Sequence, residues 1–344
     1  MRAVRRFPAE WETGGAILVA WPHAATDWAY MLDRVDDCYK SLVGALTAAG
    51  QLAVILTPEP ERVRPMLAGV DPRRVLVVDI DTDDTWTRDY GPISVEDCGD
   101  TLLLDFMFNG WGLKFAAAND NLASARLSRL GVLTAPVANR RWFVLEGGSI
   151  ETDGCGTLLT TTRCLMSPNR NAGLSRAEIE AVLARELGVT HQLWLDHGAL
   201  EGDDTDSHID TLARLAPDDT IIYVSVSDPK DPHFEELSLM AAQLRDMRTP
   251  AGQPYNLIEL PLPEPIHDED GNRLPATYAN YLVTPDTLFM PVYGQPRNDR
   301  LACEIIRIAF PSREIIPVNC EALIRQHGSL HCATMQLPSS VICM

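Results

Sequence analysis

Two hydrophobic periods alternate along the chain. Leu32, Val35, Tyr39, Leu42, Val43 and Leu46 recur at helical spacing ahead of Gly50, which predicts an amphipathic helix ended by a residue free to turn left-handed. Ser175-Arg176-Ala177-Glu178 has the form of a capping box and opens a helix that carries Ile179, Val182, Leu183 and Leu187 up to Gly188. The same period marks 118–130, 232–247 and 299–310. Between them lie strand-sized apolar runs: Leu52 to Leu56, Val75 to Ile80, Leu102 to Phe108, Leu158 to Thr162, Ile221 to Val226, Leu257 to Leu260, Leu288 to Tyr293 and Ile315 to Val318. About five helix-and-strand cycles of roughly 60–70 residues follow one another. No composition shift or linker separates them, so the pattern predicts an α/β fold in one closed domain over 1–344. A doubly wound sheet also fits the alternation, although no Gly-x-Gly-x-x-Gly follows a strand and no P-loop is present. Arg248 to Ala276, rich in proline and acids, predicts a loop or hairpin over one face.

Composition narrows the partners. A net charge of −19 with 46% hydrophobic residues describes a globular protein that repels nucleic acid and anionic membranes and suits a small cation, although solubility alone also accounts for such a charge. The N-terminal MRAVRRFPAEW lacks the apolar core of a secretory signal, and no run approaches the length of a membrane span. The 8 cysteines are scattered without a Cys-x-x-Cys pair, which predicts a reducing cytoplasm, packed thiols and no cysteine-built zinc site. One thiol stands apart by context: Cys332 follows Gly328-Ser329-Leu330-His331, a run whose small residues allow a tight backbone. His331 would project away from Cys332 in an extended segment and is a poor base for it.

Three polar clusters can serve that thiol. Trp86, Arg88 and Asp89 lie in Asp84-Thr-Trp-Thr-Arg-Asp-Tyr-Gly-Pro92, where a strand opens into a loop; a Trp-capped turn with an Arg–Asp ion pair is the plain alternative. Glu146 ends an apolar run before Gly147-Gly148, a position where a lone carboxylate needs a specific partner; a histidine would serve, and so would the amides of the glycine turn. Gly202-Asp-Asp-Thr-Asp-Ser-His208-Ile-Asp210 is the densest polar stretch, and in extended structure His208 and Asp210 point to the same side. A metal site and a solvated acidic loop are its other readings, the former short of a nearby third ligand. A thiol nucleophile needs a base and an orienting group. Carboxylates beyond that need suit a planar cationic substrate, which points to hydrolysis of a guanidino group.

FPAEW with WPH, TWTRDYGP, FNGWG, LEGGS, DDTDSHID and GSLHC, in this order over nearly the whole chain, resemble the agmatine deiminase / bacterial-type peptidylarginine deiminase family of the guanidino-group-modifying (pentein) superfamily. The resemblance implies a five-bladed α/β propeller with pseudo-fivefold symmetry. It also implies Cys332 as nucleophile, His208 as general acid/base, Glu146 as its orienting partner, and Asp89 with Asp210 as guanidinium clamps. Trp86 would wall the site and Asp204 would meet the distal end of the substrate. No metal or organic cofactor is implied, and a homodimer is compatible with the reading. The expected reaction converts agmatine to N-carbamoylputrescine and ammonia through an amidino-cysteine. Gln326-His327-Gly328-Ser329 replaces the Gly-Gly-Gly-Asn common in agmatine-specific enzymes, Asp206-Ser207-His208 replaces Asp-Gly-His, and Tyr90 replaces a threonine. Peptidylarginine or free arginine deimination, amidino transfer, and non-catalytic guanidine or polyamine binding therefore stay open.

Overall fold

The computed structural model describes residues 5–343. Its strands form five sheets built to one plan. In four of them an antiparallel pair is extended by a third, parallel strand: Ile93–Asp97, Asp100–Met107 and Val137–Val144; Ile150–Thr152, Thr157–Thr161 and His191–Leu195; Ala213–Ala216, Thr220–Ser225 and Asn256–Pro261; Leu282–Val283, Thr287–Val292 and Glu314–Asn319. A parallel neighbour needs a crossover, and helices such as Arg176–Leu187, Phe234–Asp246 and Pro296–Ala309 supply it. The fifth sheet joins the two ends of the chain. Met335–Pro338 pairs antiparallel with Gly15–Ala20, which continues in parallel through Leu52–Thr57 to Val75–Asp79.

The apolar runs of the sequence are the middle and parallel strands; middle strands such as Leu52–Thr57 and Thr157–Thr161 are buried on both faces, whereas outer parallel strands such as Asn256–Pro261 and Glu314–Asn319 are only partly buried. The partners that sequence periodicity did not reach are short or polar, such as Ala213–Ala216 and Val137–Val144. The Leu32–Ala48 helix buries the stripe expected of it, and Gly50 is left-handed at φ 84°. Ser175 accepts from the Glu178 amide while the Glu178 carboxylate accepts from the Ser175 amide, the reciprocal cap the sequence announced. The Arg248–Ala276 segment contains the strand Asn256–Pro261 between two small hairpin bridges, Arg248 to Pro254 and His267 to Arg273. Apolar side chains from all five sheets share one contiguous core. Among the described residues no helix is long and apolar enough to cross a membrane.

Candidate active site

Turns at the sheet edges, not the strands themselves, deliver the polar side chains. Thr87–Tyr90 is a single helical turn, where a loop was expected, and it buries Arg88 and Asp89. His208 precedes the short turn Ile209–Thr211, so the extended geometry expected for His208 and Asp210 is not what brings them together. Left-handed backbone at Asp206 and Ser207 (φ 67° and 64°) redirects the chain, Ile209 enters the core, and both functional side chains end up fully buried. The Cys332 segment is likewise a turn: Ala333 N–H donates to Ser329 O at 3.1 Å. The Arg88 amide donates to Cys332 O at 3.2 Å, and the Thr87 hydroxyl donates to Leu18 O and Ala333 O, stitching the two distant segments to the closing sheet.

Around one cavity of about 130 Å³ stand Asp27, Asp84, Trp86, Asp89, Trp111, Asp204 and Cys332. Gly148 is the hub of the carboxylate side. A Cβ there would come within 2.7 Å of His208 Nδ1 and 2.9 Å of both Asp210 Oδ2 and Asp89 Oδ1, while its amide donates to Asp89 Oδ1 at 2.9 Å. The Trp111 indole donates to Asp89 Oδ2 at 2.9 Å. His208 lies between two acids, Nδ1 at 3.6 Å from Asp89 and Nε2 at 3.4 Å from Glu146. Asp210 gives Oδ2 to His331 Nδ1 at 2.7 Å and to the Cys332 thiol at 3.9 Å. Asp210 Oδ1 and His208 Nδ1 have no hydrogen-bond partner although buried. Buried polar atoms are usually satisfied by protein, water or a ligand. Gly328 packs on the Trp86 ring so closely that a side chain there would collide with it.

The electrostatics follow from burial and crowding. Burial pushes the Cys332 thiol well above its ordinary value, and the Asp210 and Asp89 carboxylates add to it. Burial likewise lifts Asp89 to about 6, with His208 opposing and Asp210 and Glu146 assisting. For His208 burial favours the neutral ring, but Asp89, the Cys164 sulfur and Glu146 outweigh it and hold the imidazole charged well above its usual range. Glu146 and Asp210 also resist burial: His208 and Arg170 hold the first below the usual carboxylate range, and His331 holds the second there.

Several of these partners escaped the sequence. The Glu146 carboxylate makes no bond to the amides of its glycine turn; Arg170 Nε donates to it at 2.7 and 3.1 Å, and Arg170 continues to Asp206 at 2.6 Å. Cys164 donates to the same carboxylate at 3.7 Å. Glu146, Cys164 and His208 are close enough to share a metal, yet the Arg170 guanidinium already occupies Glu146, and a second cation there would be repelled. Asn280 accepts from the amides of His331 and Cys332 at 2.9 and 3.3 Å and holds the thiol at 3.3 Å. His331, set aside as a base for Cys332, reaches the same Asp210 carboxylate as its neighbour. Arg88 is buried against Glu10 at 3.5 Å and is absent from the cavity wall, so it does not offer a free cation to a substrate carboxylate. Nothing in isolated motifs such as Ser-Pro-Asn-Arg170 or Tyr-Ala-Asn280 marks these residues; only the fold brings them in.

A thiol and a carboxylate on one cavity wall, backed by a charged imidazole and a second carboxylate, define a class: hydrolases that act on the C–N bonds of guanidino groups. The comparisons agree with the geometry. The chain belongs to the Porphyromonas-type peptidyl-arginine deiminase family, whose model matches residues 6–338. The agmatine deiminase of Stutzerimonas stutzeri is 30% identical over 97% of this chain and 96% of its own. Among solved structures, a Porphyromonas gingivalis protein with a provisional arginine deiminase name superposes with a TM-score of 0.92 at 46% identity, covering 98% of this chain and 100% of that one. An agmatine deiminase variant of C. jejuni with substrate bound gives 0.91 at 33% identity, over 97% and 96% of the two chains. Dimethylarginine dimethylaminohydrolase, at 13% identity and a TM-score of 0.52, shares the fold alone.

Proposed function

We propose that this protein hydrolyses agmatine to N-carbamoylputrescine and ammonia. The observation that carries the reading is one cavity lined by Cys332 and Asp89, with Asp210 behind them at 3.9 Å from the thiol and its Oδ1, like His208 Nδ1, unpartnered. Asp89 and Asp210 bind the guanidinium N–H groups and fix its plane. The Cys332 thiolate attacks the guanidinium carbon, forming a C–S bond, and His208 gives its proton to the departing nitrogen as the C–N bond breaks. His208, now neutral and oriented by Glu146, takes one proton from water as its oxygen bonds to the amidino carbon; the C–S bond then breaks with its electron pair on sulfur, and the remaining O–H proton leaves to solvent as the ureido carbonyl forms. The carboxylates that suppress thiolate in the empty site lose that effect once a guanidinium lies between them and the sulfur, so ionisation follows binding. Trp86 walls the alkyl chain.

The distal ammonium of agmatine calls for acceptors, and Asp204, Asp84 and Asp27, which line the same cavity, supply them. Burial, with Asp27 and Asp204 nearby, pushes Asp84 up to about 7, so an ammonium restores its charge. The five sheets of one plan support an arrangement as five blades about a pseudo-fivefold axis in one domain over 1–344. The same reading carries a cytoplasmic enzyme without metal, nucleic acid or membrane partners. Ureido product and ammonia, measured from agmatine, free arginine and a C-terminal arginine peptide, test it. Agmatine should lead, and Asp84→Asn should raise its KM while sparing a butylguanidine that lacks the amine. A specificity constant for arginine or its peptide about tenfold above that for agmatine, about 1.4 kcal/mol, overturns the substrate assignment.

A further inference from the structure

A second cavity, of about 30 Å³, shares no lining residue with the first. Neighbours in sequence face opposite ways: Cys332 and Asp89 line the first cavity, while His331 and Arg88 line the second together with Glu10 and Glu151. Buried side chains bridge the two. Asp210 Oδ2 lies 2.7 Å from His331 Nδ1, and His331 Nε2 lies 2.6 Å from Glu10 Oε2. Arg214 at 3.1 Å and Arg88 at 3.5 Å flank Glu10, and Glu151 neutralises Arg214 from the other side at 2.8 Å. Three residues of the second cavity carry polar atoms without a hydrogen-bond partner: Arg88 Nη2, Ser94 Oγ and Gln336 Oε1. A site this polar, at roughly 10–15 Å³ per molecule, suits about two waters. Ser94 and Gln336 are half-buried and mark its mouth.

We infer that Asp210, His331 and Glu10 form a proton conduit from the active site to the second cavity. The inference rests on the reading that Cys332 ionises when the guanidinium binds. A bound substrate fills the first cavity, and the thiol proton must leave by another way. The S–H bond breaks with its electron pair left on sulfur, and the proton passes to Asp210 Oδ2, 3.9 Å away. With His331 neutral and its proton on Nε2, Asp210 gives a proton to Nδ1 while Nε2 releases its own to Glu10, and Glu10 passes one to water in the second cavity. Reversing the steps reprotonates the thiol after the product leaves. Asp210 Oδ1 takes no part and stays available to the substrate.

The test follows proton release with an indicator dye and thiolate formation by ultraviolet absorbance together, in the first turnover after mixing with agmatine. In the native enzyme the two signals should rise in step. Glu10→Gln, which keeps the shape but cannot accept the proton, should slow both by about 10- to 100-fold. Gln336→Leu replaces an unpartnered amide of the second cavity's lining with an apolar side chain, and the amide it removes makes no hydrogen bond to Asp210 or His331. It should slow both signals as well, at unchanged affinity for simple guanidinium, and it remains informative should Glu10→Gln fold poorly. Native rates in Gln336→Leu overturn the conduit, whether or not Glu10→Gln is slow, since Glu10 would then only position His331. An enzyme that makes no ureido product from agmatine refutes the substrate reading instead, and the same two signals are then read with simple guanidinium.

Discussion

Glu146→Gln separates stability from catalysis. The carboxylate has no solvent exposure and accepts from Arg170 at 2.7 and 3.1 Å while facing His208 at 3.4 Å. Glutamine keeps the shape and one acceptor oxygen, but its amide N–H must then point at either the guanidinium or the imidazolium. Breaking a buried ion pair costs about 3–5 kcal/mol. Asp206 and Thr205 O still hold Arg170 at 2.6 and 2.8 Å, which favours the low end. At about 2.1 cal/mol/K per residue, the 344 residues make about 3 kcal/mol worth only about 4 °C in Tm. The rate should suffer more, since an unoriented acid/base costs about 100-fold in kcat, about 2.7 kcal/mol. KM should stay near the native value, because Asp89 and Asp210 hold the substrate. The pH profile adds an independent sign. Glu146 helps keep His208 protonated, and activity that needs the imidazolium is lost as pH rises through its raised pKa. Without the carboxylate that pKa falls, so the alkaline limb of kcat/KM moves to lower pH. Native kcat and an unmoved limb, with Tm alone reduced, would refute the reasoning and leave Glu146 a structural partner of Arg170.

Cys332→Ser should lose turnover while melting within about 1 °C of the native enzyme, as the exchange removes little packing; substantial activity would remove the thiol from the mechanism. Ultraviolet titration of the native enzyme against this variant should place thiolate formation well above the ordinary thiol range, with guanidinium moving it down; no movement would contradict ionisation on binding. Gly148→Ala should abolish activity, because its Cβ falls within 3 Å of His208, Asp210 and Asp89 at once, and unimpaired turnover would mean the site can spread without loss.

The α/β class and the order of the apolar strands were legible because buried strands are written as continuous apolar runs. Their antiparallel partners were not: Ala213–Ala216 and Ile150–Thr152 are too short to show a period. At the site, chemically unusual residues announced themselves. Glu146 stood out as a carboxylate at the end of an apolar run, and Cys332 as a thiol after small residues. What stayed hidden were the residues that make those groups work. Arg170 and Asn280 belong to turns of ordinary composition, and Cys164 looked like one packed thiol among several. Their significance comes from distances across 24, 52 and 18 residues of chain, which one sequence does not encode locally. The extended geometry assumed for 208–210 failed because left-handed turns at Asp206 and Ser207 decide the direction of that segment.

The strand that closes the last sheet has a bearing on when the enzyme can exist at all. Cys332 lies three residues before Met335, the first residue of Met335–Pro338, and that strand docks on Gly15–Ala20. A growing chain leaves Gly15–Ala20 as an open edge until Met335–Pro338 emerges, and the thiol has no fixed place before then. The sulfur is therefore positioned by the same event that covers the exposed edge, so incomplete chains are both sticky and inert. Long-range closure of this kind is slow to form, and catalytic competence waits on it.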